Sequence, residues 1–197
     1  ITIGRQFGSG GKEVGIRVAK ELGIPFYDKE LLQEAAKKSG LCEKIFENFD
    51  ERPKSLLYSI AMDPYAFSFA GGLEGESLEQ RVYLATFDTI RRIADQGPCV
   101  IIGRCADYVL RHRNPLRLFF YADIADRMER CRKRNEEQKS LNHDVLRKII
   151  TQTDKNRSRY YEFLSGQKWG AKENYDLCIN TSSADTEKII QCVISLL

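Results

Sequence analysis

A lysine directly behind a glycine cluster is the combination in this chain best suited to chemistry. The run ITIGRQFGSGGKEVG, residues 1–15, passes from a short apolar stretch into Gly8, Ser9, Gly10 and Gly11 and then Lys12. Glycines let a backbone turn sharply and direct several N–H groups into one concavity, and the segment from Lys12 to Leu22 has the composition of a helix whose N-terminus adds positive dipole. Such an arrangement holds phosphate oxygens, with Lys12 supplying the full charge.

Three further groups of residues fit the same anionic chemistry. The apolar run CVII at 99–102 leads straight into Gly103 and Arg104, which predicts a guanidinium at the carboxyl end of a strand, where two parallel hydrogen bonds can grip a phosphate. Arg127, Arg130 and Arg134, spaced three and four, fall on one helical face beside the apolar stripe of Ile124, Met128 and Cys131. An arginine face of this kind either is solvated or closes over a transferring phosphoryl group. Asp154, Arg157 and Tyr161, again spaced three and four, line a face of the next helix. They form either an intrahelical ion pair or a pair of cleft-facing contacts to a sugar or base and to a phosphate.

The loop departs from the Walker A pattern G-x-x-x-x-G-K-[ST]. Counting back from Gly11 and Lys12, its first glycine position holds Gln6, and Glu13 stands where a Ser or Thr would coordinate magnesium.

The elements that must position these residues alternate between two patterns. Short apolar runs predict strands at 1–4, 24–27, 98–102, 116–121 and 176–179, each bounded by glycine, proline, asparagine or charge. Tyr83, Phe87, Ile90 and Ala94 predict an amphipathic helix from Ser77 to Gln96, ended by Gly97 and Pro98. Strand and helix in alternation predict a mostly parallel sheet covered on both faces, with ligands at the carboxyl ends of its strands. The segment 62–76, MDPYAFSFAGGLEGE, mixes aromatics with glycines and reads as a hinge, a lid edge or a long surface connection.

Composition agrees with one enzyme-sized domain. The 197 residues, 42% hydrophobic and 30% charged, suffice for one sizeable core. A net charge of +3 is too small for a general nucleic-acid surface, and the aromatic RNA-binding signatures are absent. The six cysteines, at 42, 99, 105, 131, 178 and 192, form no C-x-x-C pair and no metal-like cluster with the two histidines, so they read as buried thiols of a reducing cytoplasm. With no leader-like segment before Ile1 and no apolar run of membrane-spanning length, a soluble cytoplasmic protein without a membrane partner is expected. The sequence carries no signal for an oligomeric state.

In order, ITIGRQFGSGGKEVG, LGIPFYDKELL, CVIIGRCADYVL, LRLFFYADIADRMERCRKR, TDKNRSRYY and ENYDLCINTS resemble the cytidylate kinase-like family of P-loop nucleoside monophosphate kinases along nearly the whole chain. The resemblance implies an α/β three-layer P-loop NTPase fold with a five-stranded parallel sheet. It implies a single domain over 1–197, with an acceptor-side helical insertion at 28–97 and a lid region at 123–165. The implied reaction is transfer of the ATP γ-phosphoryl to a nucleoside monophosphate, with ATP and Mg²⁺ as cofactors and no nucleic acid polymer as partner. By the resemblance Gly8, Ser9, Gly10, Gly11 and Lys12 cradle the ATP phosphates, and Asp28, Arg104, Asp154 and Arg157 serve the acceptor. Lys12, Arg127, Arg130, Arg134 and Arg157 would act on the transferring phosphoryl; Glu13, standing where the family carries Ser or Thr, would either hold the metal as an oxygen ligand or repel ATP unless magnesium is present.

One departure from that family's pattern bears on substrate. After Asp28, where cytidylate kinases carry a small hydroxyl residue and then a tyrosine and arginine, this chain has Lys29, Glu30, Leu31, Leu32, Gln33 and Glu34. The pyrimidine-reading surface is replaced, so the acceptor is left open between CMP, dCMP, UMP and a non-nucleotide phosphate or alcohol. A small-metabolite kinase on the same fold is one alternative; a nucleotide-binding sensor or partner module without efficient transfer is the other.

Overall fold

The computed structural model describes residues 1–28, 78–134 and 136–197. The segment 62–76, most of the insertion expected at 28–97, Cys42 and the run Lys29 to Glu34 lie outside the described residues.

Five parallel strands form one sheet in the order β2-β3-β1-β4-β5. They are β1 (Thr2–Arg5), β2 (Phe26–Tyr27), β3 (Val100–Ile102), β4 (Arg117–Tyr121) and β5 (Leu177–Asn180). Each starts one or two residues later than its apolar run in the sequence, although Ile1, Pro25, Leu116 and Asp176 already take part in a backbone hydrogen bond with the neighbouring strand. The register sets Thr2 beside Ile101 and Arg117, and Tyr121 beside Asn180. All five carboxyl ends therefore open on the same edge.

Helices cover both faces. Among the described residues they are α1 (Gly11–Leu22), α2 (Leu78–Asp95), α3 (Ala106–Val109), α4 (Ile124–Arg134), α5 (Glu136–Lys139), α6 (His143–Ser165) and α7 (Thr186–Ile194). The pleat distributes successive strand residues to opposite sides. Val100 and Ile102 pack with Ile3, Val14, Val18, Ile190 and Val193 in the layer of α1 and α7. Ile101, between them, joins Val82, Ile90, Ile93 and Val109 beneath α2 and α3. The α2 stripe read from the sequence does enter this core, with Ile90 fully buried and Tyr83, Phe87 and Ala94 packed around it.

A third apolar cluster joins α4 to α6 through Met128, Cys131, Leu146 and Ile150, with Phe7 from the glycine loop packed against it. This cluster decides where the arginine face of α4 lies. Burying Met128 and Cys131 against α6 turns that helix so that its arginines look toward the glycine loop. Asn142 caps α6 by accepting the Asp144 amide at 3.0 Å.

Of the cysteines expected to be buried, Cys99, Cys105 and Cys131 are, whereas Cys178 and Cys192 are exposed. Cys178 lies on β5 at the end of the strand order, and Cys192 is on the outer side of α7, whose inner side carries Ile189, Ile190 and Val193. No described helix is long and apolar enough to cross a membrane.

Candidate active site

A cleft of about 340 Å³ lies at the carboxyl end of β1, walled by the glycine loop from Phe7 to Lys12 and by Arg5, Asp28, Arg134 and Arg157. The loop has its turn because Gly8 takes a φ of +76°, and a Cβ there would stand 2.8 Å from the Arg127 carbonyl oxygen. Its far end becomes α1, so the unpaired amides of the first helical turn face the cleft.

Lys12 and Asp28 meet across this cleft, with the ammonium donating to Asp28 Oδ2 at 2.6 Å. Asp28 closes β2 and is buried, and burial alone would raise its pKa; the Lys12 hydrogen bond and the charges of Arg5, Lys12 and Arg104 outweigh this and hold it below the usual carboxylate value. The Lys12 side chain keeps 38% of its surface exposed, so an anion in the cleft can reach it.

The arginines of α4 divide. Arg127 is buried and turned inward: it pairs with Asp154, and its Nε donates to the Phe7 carbonyl at 2.7 Å. Asp154 in turn accepts the Phe7 amide at 2.8 Å. Burial pushes the Asp154 carboxyl above its ordinary pKa despite the Phe7 amide and Arg127. Both residues hold the loop from behind, and neither lines the cleft. Arg130 donates to the Thr181 carbonyl at 2.6 Å and hydroxyl at 3.0 Å, and it reaches the Ser9 carbonyl at 3.3 Å. Arg134 pairs with Glu13 at 2.6 Å over the mouth. The arginine row thus runs from the loop at Phe7 and Ser9 to the first turn of α1 at Glu13.

Ser9 is buried under the loop, its carbonyl accepting the Thr181 hydroxyl at 2.6 Å. Thr181 follows β5 and ties the loop to the far side of the sheet. It lies in the run ENYDLCINTS, but no role could be read for it there, since the contact spans 172 positions. With Val14, Arg130, Lys133 and Thr186 it also lines a neighbouring, largely apolar cleft of about 270 Å³.

On the other side, Arg104 follows β3 with a φ of +59° and is buried. Burial lowers its pKa to about 10, with the charge of Arg5 acting in the same direction and those of Tyr160 and Asp28 opposing, and it remains cationic at neutral pH. Arg104 lines a small inner pocket of about 30 Å³ together with Arg5, Arg157, Tyr160 and Tyr175. Arg157 borders both this pocket and the main cleft, donates to the Arg5 carbonyl at 3.3 Å, and lies over the Phe7 ring. Tyr161, one turn on, donates to the buried Asp107 at 2.7 Å.

Glu13 tests the fit to a divalent cation. Its Oε1 is taken by Arg134, while Oε2 is buried with no hydrogen-bond partner among the described residues. An orphaned carboxylate oxygen beside a phosphate cradle suits a hard cation. No group of three or more candidate ligands gathers among the described residues, so most of the ion's ligands would come from phosphate and water.

Comparison with solved structures gives the same fold. A protein from Eubacterium ventriosum described as uncharacterized aligns at 25% identity and a TM-score of 0.70, over 99% of this chain and 95% of that one. Shikimate kinase from Bacteroides thetaiotaomicron aligns at 16% identity and a TM-score of 0.56, over 99% and 96%. Shikimate kinase from Acinetobacter baumannii, solved with shikimate, aligns at 16% and 0.51, over 99% and 89%. At these last identities the likeness is one of fold, the P-loop kinase fold. No curated protein matches. The family model described as the cytidylate kinase-like family matches residues 1–183, and the chain belongs to that family.

Proposed function

We propose that this protein is an ATP-dependent phosphotransferase that passes the γ-phosphoryl group to a small acceptor bearing an anionic group, a nucleoside monophosphate being the acceptor class the family suggests. The observation that carries this reading is the convergence of the glycine loop, Lys12, Asp28, Arg134 and Arg157 on one cleft at the carboxyl edge of the sheet. Phosphoryl transfer asks for positioning and for cations around oxygens that gain charge, and those are the groups present.

In this reading the triphosphate lies along Gly8 to Lys12, with loop amides and the Lys12 ammonium replacing its hydration. Lys12 leaves Asp28 to do so, and Asp28, kept ionised by its cationic neighbours, becomes available to a donor on the acceptor. The apolar cleft beside Arg130 and Thr181 receives the nucleoside of ATP. Arg134 reaches the phosphates when it leaves Glu13. Glu13 would hold Mg²⁺ through its Oε2, where the ion would supply charge neutralisation for phosphoryl transfer. Arg104 and Arg157 hold the acceptor, while Arg127 and Asp154 fix the loop by clamping Phe7 and so act by positioning.

The test is ADP release by the purified protein with magnesium ATP against CMP, dCMP, UMP, AMP, GMP and buffer alone. Turnover with one acceptor above the buffer rate is expected. ATP binding with no turnover on any of them would remove the nucleotide acceptor and favour a small-metabolite kinase or a nucleotide sensor.

A further inference from the structure

The glycine loop is gripped at two points. Arg127 and Asp154 clamp it at Phe7, and Thr181 grips it at Ser9, beside the neighbouring apolar cleft. Both residues of the second grip are buried, Thr181 being 7% exposed and Ser9 1%.

The Thr181 hydroxyl has one proton and two carbonyl oxygens within reach. That of Ser9 lies at 2.6 Å and that of Tyr121 at 3.3 Å, and the latter already accepts the Thr181 amide at 2.9 Å. The proton therefore goes to Ser9. Arg130 enforces this direction, because its Nη1 donates to the Thr181 hydroxyl oxygen at 3.0 Å while its Nη2 donates to the Thr181 carbonyl at 2.6 Å. A hydroxyl that accepts from a guanidinium becomes the stronger donor in turn. The direct Arg130 contact to the Ser9 carbonyl, at 3.3 Å, is the weaker of the two on that oxygen.

The peptide joining Ser9 to Gly10 is trans and planar, so its C=O and N–H point in opposite directions. Drawing the Ser9 carbonyl onto Thr181 therefore aims the Gly10 amide away from Thr181, and Gly10 borders the main cleft. Gly10 cannot fix that orientation by itself. It sits at the N-cap of α1 with a φ of +82°, and glycine takes either sign of φ almost equally well. What holds the carbonyl decides where the amide looks.

We propose that Thr181 is a positioning residue of the phosphate cradle: its hydroxyl, oriented by Arg130, holds the peptide between Ser9 and Gly10 so that the Gly10 amide meets a phosphate oxygen of the donor. The group recognised is the polyphosphate of a nucleoside triphosphate, on which Thr181 acts through Ser9. This rests on the kinase reading given above, because the cradle must hold a triphosphate for the Gly10 amide to find its acceptor.

The test is calorimetric titration of the full chain with ATP and with inorganic triphosphate, both with Mg²⁺. Thr181→Val keeps the shape and loses the hydroxyl, and it should weaken both ligands at least tenfold and by similar factors. Thr181→Ser restores the hydroxyl and should bring both back within threefold of wild type. Unchanged affinities in Thr181→Val overturn the proposal. Weakened ATP beside unchanged inorganic triphosphate also overturns it, since Thr181 would then serve the nucleoside. Equal losses in the valine and serine variants do the same, because the methyl group's packing would be their cause. A second readout needs no variant: the Gly10 amide proton of wild type should move downfield when inorganic triphosphate is added, and an unmoved resonance refutes the role given to Thr181. Wild type that binds neither ligand would sink the kinase reading itself, before any variant is compared.

Discussion

Lys12 and Arg127 are both cations beside the glycine loop, and their surroundings give them opposite tasks. Lys12 keeps a solvent-facing side and one carboxylate partner, so it can trade Asp28 for a phosphate. Lys12→Ala should lower ATP affinity about thirtyfold, corresponding to about 2 kcal/mol for a lost charge-assisted contact, with little change in melting temperature. Calorimetric titration with ATP checks it, and unchanged affinity would remove the phosphate-loop assignment. Arg127, 6% exposed and paired with Asp154, belongs to the fold's support. Arg127→Met should cost about 3–5 kcal/mol in denaturant unfolding, because the buried Asp154 carboxylate loses its ion-pair partner and keeps the Phe7 amide. The double variant Arg127→Met with Asp154→Leu should cost clearly less than Arg127→Met; an equal or larger loss would mean that packing, not the stranded charge, sets the penalty.

At the scale of elements, the loop, α4 and α6 form one unit around Phe7. Gly8 is the tightest point: with its positive φ and a Cβ 2.8 Å from the Arg127 carbonyl, Gly8→Ala strains backbone against backbone. Gly23 closes α1 at a φ of +64° with nothing within 4 Å of its Cβ. Thermal unfolding should therefore show Gly8→Ala losing at least about 2 kcal/mol and Gly23→Ala only about 1 kcal/mol, the latter being conformational strain alone. Similar losses would argue that the loop yields easily. The strands and helices themselves were legible in the sequence, because apolar runs of four to six residues bounded by glycine, proline, asparagine or charge leave few alternatives. What each helix faced was not. The three-four spacing of Arg127, Arg130 and Arg134 identifies a face but not its neighbour, and the neighbour, Phe7 with Asp154, lies 27 or more positions away. Arg5 was missed for a smaller reason. The apolar run suggested a strand ending at residue 4, which put Arg5 in the loop; the strand-end rule that singled out Arg104 applies equally to it once β1 extends to residue 5.

For the whole molecule, two buried carboxylates should bend the pH dependence of stability in opposite directions. Asp107 has its pKa raised, chiefly by burial, against the Tyr161 hydrogen bond. Its folded form holds a proton the unfolded chain has already released, so its contribution is present below the unfolded value of 3.8 and is lost as pH rises through the folded value. Asp28 is lowered, so its contribution is present above 3.8 and is lost as pH falls through the folded value. Melting curves from acid to neutral pH should show Asp107→Asn gaining on wild type as pH rises, and Asp28→Asn falling further behind over the same range. Parallel curves for either variant would remove that carboxylate from the linkage.

The tie between Arg127, Asp154 and Phe7 is also a fulcrum. It pins α4 near its start, so a rigid tilt of that helix leaves the arginine beneath the loop nearly still and carries Arg134, seven residues and about 10 Å farther along the axis, through the widest arc. Leverage thus grows along the arginine row, from the residue that anchors the loop to the one at the mouth of the cleft.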